Sequence, residues 1–239
     1  MDTIYIIIIG FAVALALLLA FINGASARFK STYNKYDGFR NHLGISAEQF
    51  LITMREFANM PKLNFARIKG KLSDCYIPKQ RTIALSESTY QNDSVAAVAV
   101  VAHEFGHAMQ HHKRSFMYTF YHFCGRVFSF FAKLIVPALI VGIILVLFVE
   151  NYVDTGWIVI YSAIGVLLCG IFYKILTVPV EWDASTRALK ILKEHEVLTD
   201  KELKMAKKVL STAAATYVAD FLSTMLGISF IKRHGIRRK

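Results

Sequence analysis

The chain has 239 residues, 55% of them hydrophobic and 19% charged, and carries a formal net charge of +11 at neutral pH. A mean hydropathy of +0.42 excludes an ordinary water-soluble enzyme and points to a bilayer, and no low-complexity tract or internal repeat divides the sequence. The basic balance does not indicate nucleic acid, because the lysines and arginines are spread along juxtamembrane stretches rather than gathered with a binding motif; anionic lipid headgroups are the expected partner.

Ile4 to Ile22 is a nineteen-residue run without a charge, long enough as a helix, at about 28 Å, for the hydrocarbon core. Met1-Asp2-Thr3 before it lacks a positive charge and the apolar core exceeds that of a signal peptide, so an uncleaved anchor is expected. Ser46-Ala47-Glu48-Gln49 has the form of a capping box, followed by Phe50, Leu51, Met54, Phe57 and Ala58 at helical spacing and a stop at Pro61. Phe65 to Leu72 and Arg81 to Ser86 alternate and predict a short sheet. The second of these stands just before the next helix, either as an edge strand open to an added peptide or as an ordinary half-buried strand.

Asp93 to Ala102 is apolar after its first two residues and free of Gly and Pro, with Asp93 or Ser94 as N-cap, and predicts a buried helix. It runs into His103-Glu104-Phe105-Gly106-His107, an H-E-x-x-H pattern. On a helix, residues four apart lie one above the other, so both imidazoles can reach one tetrahedral zinc ion. Glu104 falls on the neighbouring face, where it can hold and deprotonate a water, as peptide hydrolysis requires. The bland alternatives are two core histidines with accidental spacing, or a purely structural zinc. His111 lies two turns, about 12 Å, from His103 and cannot share its ion; His111 and His112 are expected at the surface. The third ligand must therefore come from a distant segment.

Phe128 to Val149 and Trp157 to Thr177 are two further spans, with Lys133 and Lys174 near their ends. Residues 24–127 carry fourteen Lys+Arg against seven Asp+Glu, whereas the connection Glu150 to Thr155 has no Lys or Arg. The positive-inside rule then places 24–127 and 179–208 in the cytoplasm and the hairpin tip outside. Glu181, in Val178-Pro179-Val180-Glu181-Trp182-Asp183-Ala184-Ser185, is consequently on the same side as the H-E-x-x-H helix and is the best-placed ligand; Pro179 marks a helix start with Glu181 in its first turn. The bland reading is an acid favoured there by the helix dipole. Leu198 to Leu203 predicts a turn and a capped helix start, and Leu210 to Ile231 is an apolar stretch with an embedded Asp220 and a basic tail, expected to lie in or re-enter the membrane with the tail inside. Cys75, Cys124 and Cys169, widely separated and odd in number, predict unpaired thiols.

Leu72 to Tyr76, Ile83 to Ser86, Val95 to Gln110, Val178 to Ser185 and Ala214 to Val218 together resemble the YugP-like neutral zinc metallopeptidases of bacteria. The resemblance covers most of residues 31–112 and 175–220. It implies a membrane-embedded zinc peptidase with ligands His103, His107 and Glu181 and with Glu104 as base. The chain is also similar to the wider gluzincins, including HtpX-like proteases and CAAX prenyl endopeptidases. Those families follow the glutamate ligand with an aspartate four residues later that supports a zinc histidine; here position 185 is Ser and the acid is Asp183. Asp183 then supports a ligand by another route, or is itself the ligand with Glu181 behind it.

The expected fold is mainly α: integral membrane helices plus a small α+β domain with a short sheet and the H-E-x-x-H helix. Its expected divisions are an anchor (1–27), a cytosolic zinc-helix domain (28–127), a transmembrane hairpin (128–178) and a segment with the third ligand, the last apolar helix and the basic tail (179–239). The expected activity is zinc-dependent endopeptidase action on polypeptides, membrane proteins among them, by a multi-pass protein of the cell membrane. Tyr217, Arg187, His195 and Tyr76 are candidate oxyanion donors. The alternatives are a non-catalytic scaffold or lipid-binding protein with a structural or absent metal and, on Asp220 alone, a transporter.

Overall fold

Eight α-helices and three strands make up residues 2–225, the part of the chain that the computed structural model describes. The described residues fall into two compact units, one built from the chain up to Lys113 together with the chain from Glu181, the other from Arg114–Val180.

In the first unit, α1 (Asp2–Asp37) continues well past the expected anchor. Nothing in its sequence stops it: there is no proline, and Gly24 faces open space. Its last turns carry Tyr33 against Ala96 and Val209. Helix α2 (Ala47–Phe57) starts with the expected capping box, Ser46 and Gln49 each bonding the other's backbone N–H. Strands β1 (Asn64–Ile68), β2 (Cys75–Ile77) and β3 (Thr82–Ser86) form a sheet in the order β1-β3-β2, with β3 parallel to β1 and antiparallel to β2. The segment at Arg81–Ser86 is therefore not an edge: it is paired on both sides and buried along its whole strand, and the edge beside the next helix is the three-residue β2. Asp74, just before β2, is buried and accepts from the Ser86 N–H and from the hydroxyls of Ser86 and Thr89, which ties the start of β2 to the end of β3.

Helix α3 (Val95–His112) is capped by Ser94, whose Oγ accepts from Ala97 N at 3.0 Å. Its face of Val98, Val101, Ala102 and Phe105 packs with Phe50, Leu51, Ile83, Leu85 and Leu192, and Phe50 meets Phe105 edge-on at 6.4 Å. Burying each such large side chain contributes about 1.5–3 kcal/mol, which makes α3 the rigid centre of the unit. Helix α8 (Asp200–Met225) begins at the expected turn, with Glu202 accepting from the Thr199 backbone and hydroxyl, and continues as one helix that packs on α1 and α3. Residues 226–231 and the basic tail 232–239 lie outside the described residues.

The second unit holds α4 (Phe116–Ala132), α5 (Ile135–Phe148) and α6 (Val153–Ile175). The apolar helix begins at Phe116 rather than Phe128, and it breaks at Lys133–Leu134. Pro137 explains the break, since it cannot donate to the Lys133 carbonyl. Helices α5 and α6 touch at glycines: a Cβ on Gly142 would stand 3.0 Å from the Gly156 carbonyl oxygen. Such backbone proximity suits helices in lipid, where packing replaces the hydrophobic effect.

Helix α7 (Thr177–Glu194) follows. Pro179 lies in its first turn as expected, but Glu181 is the fifth residue and opens the second turn. Among the described residues, Val13–Asp37, Phe116–Phe148 and Glu150–Glu194 are helical stretches long and apolar enough to cross a membrane. The architecture is mainly α with one small sheet, and no disulfide joins Cys75, Cys124 or Cys169.

Candidate metal centre

His103 and His107 stand one turn apart on α3, their rings 4.8 Å between centroids and nearly perpendicular. Both Nε2 atoms converge on one oxygen of α7, Glu181 Oε2, at 3.1 Å and 3.2 Å respectively. Gly106, between the two histidines, permits this approach: a Cβ there would drive into the Ala184 backbone carbonyl. His103 and Glu181 are buried and the His107 side chain is 12% exposed.

The far nitrogens of both rings are also engaged. His103 Nδ1 lies 3.0 Å from Ser185 Oγ, and His107 Nδ1 lies 2.9 Å from Gln110 Oε1. Gln110 Nε2 donates to Asp183 Oδ2 at 2.8 Å, and Arg187 Nε donates to the same oxygen at 2.8 Å. Ser185, which departs from the gluzincin pattern in sequence, is thus the partner of one histidine, and Asp183 reaches the other through Gln110.

Glu104 is buried on α3 and accepts from the Tyr76 N–H of edge strand β2 at 2.7 Å. Burial pushes its carboxyl above the usual carboxylate range, against the pull of His103, His107 and that N–H. The Tyr76 hydroxyl lies 2.7 Å from His111 Nδ1. His111 is therefore half-buried and bonded rather than a free surface histidine, while His112 is exposed. Burial raises the Tyr76 phenol to about 12. Of the other candidate donors, Arg187 is held by Asp183 and the His195 ring packs on Phe57 at 4.8 Å; Tyr217 is half-buried on α8.

A family model described as "Putative neutral zinc metallopeptidase" matches residues 7–231. The chain belongs to the neutral zinc metallopeptidase family. A curated relative of Bacillus subtilis, "Putative membrane protease YugP", is 31% identical over 201 residues, covering 84% of this chain and 85% of its own. No solved structure matches.

For a neutral zinc metallopeptidase the cofactor is zinc, and the donor set fits it. His103, His107 and Glu181 each offer one ligand atom, all within 4.8 Å of one another. Two ligands of a tetrahedral zinc at bonds near 2.0–2.1 Å stand about 3.3 Å apart, close to the 3.1 Å and 3.2 Å found. Two imidazoles and one carboxylate leave a fourth position open, the pattern of catalytic rather than structural sites. Sequence reasoning gave Gly106 and Gln110 no part in the site and noted Ser185 as a departure from the gluzincin pattern without assigning it a partner. The only signal was a glycine within a helix, which asks for a close packing partner.

Proposed function

We propose that this family member is a membrane-embedded zinc endopeptidase, with His103, His107 and Glu181 as metal ligands and Glu104 as general base. The observation that carries this reading is the convergence of two imidazole Nε2 atoms and one carboxylate oxygen beside a second, separately held buried carboxylate. Glu181 fits the ligand role better than Asp183, because Asp183 Oδ2 is occupied by Gln110 and Arg187.

Bound zinc supplies Lewis acidity, polarising a peptide carbonyl and acidifying a water. Glu104 takes a proton from the water as its oxygen adds to the carbonyl carbon, then gives that proton to the amine nitrogen as the C–N bond breaks. The Tyr76 N–H fixes one Glu104 oxygen and leaves the other for this exchange. The desolvated setting that raises the Glu104 pKa makes its carboxylate a stronger base than one in water.

The substrates in this reading are polypeptides, membrane proteins among them, and the protein is multi-pass with its site facing the cytoplasm. The charge asymmetry of residues 24–127 supports that orientation. Exposed Arg28, Lys30, Lys35 and Arg40 on and just after α1 suit anionic headgroups. The division into anchor, zinc-helix domain, hairpin and third-ligand segment is kept as part of this proposal.

Glu104→Gln tests the reading: zinc content should remain at the unsubstituted level while cleavage of a membrane-protein substrate falls by ~10²–10⁴-fold. Undiminished cleavage would remove Glu104 from the chemistry, and a wild-type protein with no zinc-dependent cleavage would favour a scaffold.

A further inference from the structure

The polarity of the hydrogen bonds behind His107 can be followed atom by atom. Asp183 is an acceptor only, and it is fixed on α7 by Arg187 one turn later. A carboxylate facing an amide takes its NH2 end, so Gln110 must turn Nε2 to Asp183 and Oε1 to His107. An oxygen facing Nδ1 requires a proton on Nδ1. The neutral ring with Nδ1–H has its lone pair on Nε2, the atom 3.2 Å from Glu181. Reversing the amide would set a carbonyl oxygen against a carboxylate. Gln110 is fully buried, so water does not replace a lost bond.

His103 lacks this device. Its partner is the Ser185 hydroxyl, which donates or accepts and by itself imposes no tautomer. The two histidines are therefore unequal, one backed by a charge through an amide and the other by a neutral rotor.

We infer that Gln110 and Asp183, with Arg187 behind them, form a positioning relay that sets the tautomer of His107 and aims its Nε2 at the metal. This rests on the zinc-site reading above. None of the three is among the ligands proposed above; they act through His107, and across two helices, since Gln110 is on α3 and Asp183 on α7.

The test is zinc affinity, measured by chelator competition on the full detergent-purified chain, with no substrate present. Gln110→Leu and Asp183→Ala should each weaken zinc binding by about 10–100-fold. Because both break one relay, the double substitution should be no worse than the weaker single. Gln110→Glu combined with Asp183→Ala rewires the relay by shortening it, the carboxylate introduced at position 110 accepting directly from His107 Nδ1, and should recover most of the lost affinity. A purely structural role would not show that rescue. Asp183 is partly exposed, so its truncation tests the relay even where a change at buried Gln110 unfolds the chain. Wild-type affinity in Asp183→Ala, or no recovery in a folded rewired variant, overturns the relay. A wild-type protein that binds no zinc overturns the zinc site itself.

Discussion

Gly106 and Ala184 meet backbone to backbone: the glycine on α3 has no space for a side chain because the Ala184 carbonyl of α7 occupies it. This contact sets the separation of the two helices that bear the candidate ligands. Alanine in place of glycine ordinarily favours a helix by about 1 kcal/mol, but here the obstacle is a main-chain oxygen, and overpacking costs about 1–3 kcal/mol. Gly106→Ala should therefore lower the thermal midpoint and sharply reduce bound zinc. A stabilised variant with full zinc would mean that the helices can part without disturbing the site.

Asp74 offers a second test, remote from the metal. Its carboxylate satisfies three donors, the Ser86 N–H and the hydroxyls of Ser86 and Thr89. Asp74→Ala leaves the buried Ser86 N–H without its acceptor and the two hydroxyls with only each other and Ser88, and should cost about 1–3 kcal/mol in chemical denaturation. Since β2 starts at the next residue and its Tyr76 N–H holds Glu104, cleavage should suffer more than zinc content. Equal losses of both would contradict that link.

Much of this arrangement was legible in local sequence. The Ser46 capping box, the Ser94 cap, the H-E-x-x-H spacing and the Thr199–Glu202 start of α8 depend on residues within four of each other, so their signals survive without tertiary context. Strand β2 did not, because three residues carry no readable alternation and their pairing with β3 is decided by what they pack against. Leaving Arg81–Ser86 open between an edge strand and an ordinary half-buried one followed from that omission. The break at Lys133–Leu134 was in principle readable from Pro137, but the surrounding apolar run masked it. Gln110 and Ser185 acquire meaning only when α7 meets α3, more than seventy residues apart.

His111 gives a pH-dependent expectation. Burial first, and then Arg81, hold its pKa below the ordinary value of 6.5. A folded-state pKa below the unfolded one contributes stability that is present above pH 6.5 and is lost as the pH falls through the folded value. Arg81→Gln removes the charge that opposes protonation of this ring and should make stability less sensitive to acid, as read from melting curves between pH 7 and about 5. An unchanged pH profile would show that Arg81 contributes nothing to the acid sensitivity.

In the second unit, Gly142→Leu should destabilise the α5–α6 pair by about 1–3 kcal/mol in detergent unfolding, because its side chain would meet Ile160 and the Gly156 carbonyl. Gly165→Leu, at a site facing open space, is the control and should be neutral. Equal effects at the two positions would contradict the close glycine contact.

The most direct measurement is the metal content of the detergent-purified chain with and without Glu181→Ala. A His103–His107–Glu181 site predicts ~1 zinc per chain in the unsubstituted protein and a sharp loss in the variant, with the fold retained by circular dichroism. Full zinc in folded Glu181→Ala would contradict it.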